Sequence, residues 1–91
     1  MAVLLVLHEV ADEEKCSEIK RVLRRRHGIV VNLTNSALAL YTPLLPVHVF
    51  DAVKEYVDVG DRLFVIPLAG PYTGYAPRET TEWLSNYLIA G

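Results

Sequence analysis

The sequence is poor in cysteine, and it lacks both a long uninterrupted apolar segment and a strong excess of charge. A single cysteine, Cys16, excludes an internal disulfide and a zinc site built from several cysteines. The formal net charge of −2 argues against wholesale electrostatic binding of nucleic acid or of an anionic membrane. Any binding function must therefore come from local clusters of charge or from apolar surface.

No Asp, Glu, Lys or Arg occurs within residues 28–50, a length that would suit a membrane span. Polar residues and prolines, among them Asn32, Asn35, Pro43 and Pro46, divide this segment into short pieces. The opening "MAVLLVLHEV" has no basic region, and its apolar run is too short for a signal peptide or a membrane span. We therefore expect a cytoplasmic protein that does not enter a membrane.

With 91 residues the chain predicts one domain, residues 1–91. A chain of this size buries only about 60–65% of the surface that its unfolded form exposes. Hydrophobic residues nevertheless make up 52% of the sequence, slightly above the usual range. The excess hints at apolar surface beyond what a monomer needs.

The first half of the chain predicts a strand, a helix and two more strands. Residues 3–7 are continuously apolar, which is typical of a strand buried on both faces. Asp12 and the following acids open a helix that runs to about His27, where Gly28 is placed to end it. The segments "IVVNL" and "ALALYT", separated by "TNS", predict a hairpin whose first strand alternates and whose second is apolar on both faces.

The second half predicts a helix, a strand and a final helix. Pro46 suits the first turn of a helix over about residues 47–57, which would bury Val49 or Phe50. Residues 62–68 predict the last main strand. After the loop "AGPYTGYAP", a short helix is expected over about residues 78–88, with its apolar side carrying Trp83, Leu84, Tyr87 and Leu88.

This order of elements is that of an α+β, ferredoxin-like βαββαβ sandwich with an extra C-terminal helix. Such a sheet has its first and third strands in the centre and its second and fourth at the edges. Pro67 lies inside the fourth strand, "DRLFVIPLAG". A residue without an N–H is tolerated where one row of backbone groups has no neighbour, so Pro67 predicts an edge strand.

The same fold predicts a dimer. Two helices cover one face of the sheet, yet the two central strands are apolar on both sides. Either the C-terminal helix or a second subunit must cover the remaining face, and an exposed apolar patch favours an interface. We expect a two-fold homodimer. Its interface is predicted at Leu38, Leu40, Pro67, Tyr72 and Tyr75.

The segment "VDVGDRLFVIPLAGPYTGYAPRETTEWLSNYL", with short matches such as "GDRLFVI" and "EWL", resembles a group of small bacterial proteins labelled SinR-like. That group resembles in turn the CRISPR-associated Cas-two family. The likeness spans nearly the whole chain and also includes the strand that ends in His8 and Glu9. It implies a homodimeric ferredoxin-like domain, and the SinR-like group brings no assigned activity with it.

In the Cas-two family, an acidic residue at the end of the first strand is associated with a metal ion and nuclease activity. The resemblance places that acid at Glu9, where these families usually carry aspartate, and places His8 where an aromatic residue is common. Two symmetry-related Glu9 carboxylates near a dimer axis would hold one Mg²⁺. The alternative is that Glu9 begins a solvated loop, which we favour because a lone acid lacks the further groups that catalysis requires.

One basic cluster stands out at the end of the first predicted helix. It can contact phosphates, or it can form a solvated helix face that complements the helix dipole. We favour the second interpretation because no aromatic residue is interleaved with the bases. The residues are Lys20, Arg21, Arg24, Arg25 and Arg26, followed by His27.

Other candidates are weaker. Tyr72 and Tyr75 can stack on a ligand, although such tyrosines more often pack in interfaces. The three histidines are too far apart in sequence for metal-ligand spacing. Cys16 falls on the apolar side of its helix as a small core residue, and Ser36 has no visible base.

Two hypotheses follow. The first is a homodimeric interaction module without enzymatic activity or a cofactor. The second is a metal-dependent nuclease or nucleic-acid-binding protein of the Cas-two type, which would use Glu9, the basic cluster, and Mg²⁺ or Mn²⁺. The sequence does not identify the partner or the cellular process.

Overall fold

The computed structural model describes residues 1–88 and shows an α+β fold with a four-stranded antiparallel sheet. The predicted domain extends to residue 91, so its last three residues lie outside the described part. The elements are β1 (Ala2–Glu9), α1 (Glu13–His27), β2 (Val30–Thr34), β3 (Ala37–Thr42), α2 (Pro46–Val53), a 3₁₀ turn (Lys54–Tyr56), β4 (Arg62–Leu68) and α3 (Arg78–Tyr87).

The ends of α1 are fixed by the residues that the sequence indicated. Asp12 Oδ1 accepts hydrogen bonds from the N–H groups of Glu14, at 2.9 Å, and Lys15, at 3.2 Å. Gly28 adopts a φ of 72°, and its N–H donates to the Arg24 carbonyl at 3.1 Å. A side chain at this φ would be strained, so glycine is the suitable residue here.

The strands lie in the order β2-β3-β1-β4, so β1 and β3 are central and β4 pairs only with β1. In this register Leu4 lies between Leu40 of β3 and Pro67 of β4. The edge position of β4, predicted from Pro67, is confirmed. Pro67, which lacks an N–H, therefore lies in a strand that has one neighbouring strand instead of two.

One face of the sheet packs against α1 and α2, and we call it the helix-covered face. Its residues come from alternate positions of the central strands, and they form the core with apolar side chains of the two helices. All of them are at most 1% exposed: Leu4, Val6, Leu38, Leu40, Ile19, Leu23, Val49 and Val53. The side chains of Leu38 and Leu40 are thus enclosed within one chain. The sequence-based placement of these two leucines in a dimer interface must be corrected.

The opposite face, which we call the outer face, is only partly covered. Helix α3 contacts β2, and the ring of Tyr87 lies 4.9 Å from that of Tyr41 on β3. Near β4 the face is open, where Phe64 is 54% and Ile66 45% exposed. These two residues pair with Leu7 and Leu5 of β1. We call Leu5, Leu7, Phe64 and Ile66 the outer-face patch.

Helix α2 is shorter than predicted, because the chain tightens into the 3₁₀ turn after Val53. Pro46 begins the helix as expected. Val49 is the buried residue of the two alternatives, whereas Phe50 is 38% exposed. No helix within residues 1–88 combines the length and the apolar character needed to cross a membrane.

Candidate functional site

A cavity of about 420 Å³ opens at the end of β1 where three loops meet. The β1–α1 loop, the β2–β3 turn and the loop before β4 form its walls. Several titratable or nucleophilic side chains converge here, although they are distant in sequence. The cavity is lined by His8, Glu9, Val10, Ala11, Cys16, Asn35, Ser36, Gly60 and Asp61.

Two of these side chains, those of His8 and Cys16, are in contact. The Nδ1 atom of His8 lies 3.5 Å from the Sγ atom of Cys16. His8 points to the helix-covered side of β1, where its side chain is 1% exposed, and Cys16 sits on α1 with its surface partly exposed. The main-chain N–H of His8 donates to the Ser36 carbonyl at 2.7 Å, which fixes the end of β1 against the turn.

Burial favours the neutral form of the His8 imidazole. Desolvation lowers the pKa of His8, and the nearby charge of Lys20 lowers it further, against an opposing main-chain hydrogen bond. The Nε2 atom is buried and has no hydrogen-bond partner in the described residues. A neutral ring leaves one nitrogen as a proton acceptor and the other as a donor. The ring can therefore accept the thiol proton of Cys16 or donate to its sulfur.

The cavity walls are held by Asp61, whose side chain bridges two loops. Its Oδ1 accepts from the Ala11 N–H at 3.1 Å, and its Oδ2 accepts from the Asp58 N–H at 2.8 Å. These two main-chain hydrogen bonds lower the pKa of the Asp61 carboxyl. Lys15 adds an ion pair with Asp58 at 2.7 Å. Asp61 is therefore engaged in structure, with both oxygens occupied by backbone donors.

Glu9 is exposed at the end of β1, opposite Arg62 of β4 in the strand register. The nearby Asp12 serves as the helix cap, and Asp61 binds main-chain amides. Within residues 1–88, no group of three or more His, Cys, Asp or Glu side chains is arranged to hold a metal ion. A single chain thus offers a metal one uncommitted carboxylate at this position.

The basic cluster lies along the last turns of α1 and is heterogeneous. Arg21 forms an ion pair with Glu18 at 2.6 Å, and Lys20 is partly buried beside His8. The last three arginines of α1 are exposed, and the ion pairs found within residues 1–88 do not include them. The surface available to an anion is formed by Arg24, Arg25 and Arg26.

A second histidine is held at the opposite end of the sheet. The Nδ1 atom of His27 lies 3.1 Å from Thr42 Oγ1, and that oxygen also accepts from the Leu44 N–H at 3.2 Å. Burial lowers the pKa of His27, and its Nε2 is buried without a partner in the described residues. Both histidines thus join α1 to the sheet, His8 through a thiol and the partly buried His27 through a hydroxyl.

The predicted tyrosines differ in their surroundings. The Tyr72 hydroxyl donates to the Thr81 carbonyl at 3.1 Å, which connects the Gly/Pro/Tyr loop to α3. Tyr75 is fully exposed. Ser36 lines the cavity at the end of β1. Its main-chain N–H donates to Thr34 Oγ1 and its carbonyl accepts from the His8 N–H, so these hydrogen bonds do not involve its hydroxyl.

The contact between His8 and Cys16 was missed by the sequence analysis, which treated the two residues separately. They are eight residues apart, at the end of a strand and in the second turn of the following helix. One pattern could have revealed the pair. It consists of a residue on the helix-covered face of a strand, followed by a residue on the side of the next helix that faces the sheet. That pattern requires knowing which face of β1 the helix covers.

The chain matches no protein-family model and no curated protein. The resemblance to the SinR-like and Cas-two groups therefore stays a prediction.

Proposed function

We propose that this protein is a homodimeric interaction module without enzymatic activity, built on a ferredoxin-like domain. The observation that carries the proposal is the outer-face patch, where large apolar side chains of an ordered sheet remain open to solvent. Phe64 and Ile66 are about half exposed although they lie in the middle of a strand. Contiguous apolar surface of this kind is typical of an interface.

The fold assignment is supported by the connectivity. Helix α1 connects β1 to β2, and α2 connects β3 to β4, while a tight turn joins β2 to β3. Both helices pack on the same face of the sheet, as two interleaved βαβ units require. Helix α3 is then an addition that lies on the outer face.

A second copy of the chain is the occupant that the patch favours. The patch is purely apolar, so it does not select a partner by charge, and a two-fold axis would bring two such patches together. Pro67 interrupts the free edge of β4 and so discourages extension of the sheet by another strand. Packing of one sheet face on another is therefore the favoured arrangement, with Tyr72 and Tyr75 from the following loop at its border.

Light scattering coupled to gel filtration tests this proposal. We expect the wild-type protein at tens of micromolar to have twice the chain mass of 10.2 kDa. Ile66→Lys places a charge in the patch and should yield a monomer that keeps its circular dichroism spectrum. Val59→Lys is the matched control, since Val59 is exposed in the loop before β4 and should leave the dimer intact. A monomeric wild-type protein would overturn the proposal.

The exposed arginines support a second candidate, a nucleic-acid-binding protein of the Cas-two type. Arg24, Arg25 and Arg26 are exposed, and the ion pairs found within residues 1–88 do not include them. The nuclease version of this hypothesis depends on Glu9 and on a divalent metal shared between two copies. It has weaker support, because within residues 1–88 Glu9 is not joined by the further acidic or basic groups that catalysis requires.

Incubation of the protein with labelled RNA and DNA, with and without Mg²⁺ or Mn²⁺, distinguishes the two candidate functions. Cleavage that is lost in Glu9→Ala would contradict the non-enzymatic proposal and support the nuclease. Another outcome is that the protein retains the labelled nucleic acid without cleaving it. Retention that weakens with salt and is abolished when Arg24 and Arg25 are both changed to Glu would indicate binding alone. Under the primary proposal, neither cleavage nor retention occurs at physiological salt.

A further inference from the structure

We infer that Cys16 and His8 form a reactive thiol–imidazole pair, and that Cys16 takes part in thiol–disulfide exchange with small-molecule disulfides that enter the cavity at the end of β1. Two observations carry this inference independently. The Cys16 sulfur lies within contact distance of a ring nitrogen of His8, at 3.5 Å. Both residues also line an open cavity of about 420 Å³, which has room for a small disulfide.

The position of the thiol suits this chemistry. Cys16 is partly exposed, so its sulfur is accessible from the cavity, whereas His8 beneath it is fully buried. The main-chain N–H of Cys16 donates to the Asp12 carbonyl at 2.9 Å, which fixes the backbone that carries the thiol at the start of α1. A thiol beside an imidazole is the arrangement in which a base activates a sulfur nucleophile.

The imidazole is placed as a base that is not engaged elsewhere. One ring nitrogen faces the sulfur, and the other is buried without a partner in the described residues. Burial lowers the pKa of His8, so the ring is neutral near pH 7 and has a lone pair available. The other titratable groups at the pair are Lys20 on α1, Glu9 at the end of β1 and Asp61 before β4.

The exchange step is balanced without any further reagent. The Cys16 thiol gives its proton to Nδ1 of His8, and the resulting thiolate attacks one sulfur of the small disulfide. A new sulfur–sulfur bond forms to Cys16 while the original disulfide bond breaks. The departing thiolate takes the proton from His8, so that the products are a mixed disulfide on Cys16 and one free small thiol. The incoming disulfide is reduced and Cys16 is oxidised.

The rate of modification by glutathione disulfide, followed by intact mass, tests the inference. We expect native wild-type protein at pH 7.5 to gain one glutathione at least tenfold faster than His8→Gln. His27→Gln is the matched control, because it alters the other histidine with a buried, unpartnered nitrogen but leaves Cys16 untouched. Its rate should equal that of the wild type. Cys16→Ser should gain no mass.

The same reaction in urea provides the reference for an unassisted thiol. If His8→Gln fails to fold, the native wild-type rate is compared with the rate of the unfolded chain, and activation predicts that the native rate is higher. A pH series adds a readout that a purely structural role of His8 would not change. The wild-type rate should persist below pH 7 for as long as the His8 ring stays neutral and can accept a proton, whereas the rate of the unfolded chain should fall. A native rate below the unfolded rate at every pH, or equal rates in wild type and a folded His8→Gln, would overturn the inference.

Discussion

The two faces of the sheet are built from the same strands, yet only one of them is completed within a single chain. On the helix-covered face, the side chains of Leu4, Val6, Leu38 and Leu40 are at most 1% exposed. On the outer face, Ala39 of β3 is equally buried, but burial fails at the β4 edge, where Phe64 is 54% exposed.

The difference follows from how far the helices reach. Helices α1 and α2 contact strands across the sheet, whereas the ten residues of α3 lie over β2 and the adjoining part of β3. A sheet of this width needs two helices to cover a face. A single short helix leaves the far strand bare, so the outer face remains available to a partner.

The largest expected effect contrasts one residue from each face. Leu40→Ala should lower the free energy of unfolding by about 2–5 kcal/mol, because it leaves a cavity in a closed core. Ile66→Ala should cost about 1 kcal/mol, since nearly half of this side chain is already in water. Urea denaturation at low protein concentration measures both. Equal losses would break the distinction between the faces.

The Ile66 measurement becomes sharper when it is repeated at high protein concentration. A dimer stabilises the folded state by mass action, so the cost of Ile66→Ala should increase with concentration while that of Leu40→Ala does not. A concentration-independent cost at Ile66 would count against the patch as an interface.

Acid should weaken the helix-covered face next, because the buried His8 and the partly buried His27 belong to it. The pKa values of His8 and His27 are lowered by burial, so the unfolded chain takes up protons before the folded chain does. Their contribution to stability is complete above about pH 6.5 and is lost as the pH falls through the lower folded values. The Asp61 contribution is lost only below its ordinary value of 3.8, because its pKa is also lowered.

Urea denaturation at a series of pH values separates these two windows. The double variant His8→Gln/His27→Gln should show a flatter dependence between pH 6.5 and the acid range. An unchanged slope in the double variant would mean that the buried histidines do not govern the response.

The smallest expected effect concerns the helices rather than the strands. On the helix-covered face α1 begins with a side-chain cap from Asp12, whereas α3 on the outer face begins at Pro77 without one. Asp12→Ala should therefore lower the free energy of unfolding by about 1 kcal/mol. Glu13→Ala, in the same turn but without a capping bond, should cost less. Equal effects in urea denaturation would show that charge, not the cap, matters at this end of α1.

The sequence predicted the elements well because each has a local physical cause. Asp12 and Gly28 mark the ends of α1 through capping and backbone conformation, and the bounds of β4 agree with the predicted residues 62–68. The candidate site was harder to predict. The His8–Cys16 contact depends on which face of β1 meets α1, and the cavity requires three loops that are distant in the chain.

The sequence by itself determined the order of helices and strands and the edge position of β4, since capping, periodicity and the missing N–H of Pro67 act locally. Only the tertiary structure decided which face of β3 enters the core. In "ALALYT" both faces are apolar, so periodicity could not show that the leucines lie on the helix-covered face and the alanines on the outer face. It was likewise the length and position of α3 that left Phe64 and Ile66 uncovered, because coverage depends on how packed elements fit in space.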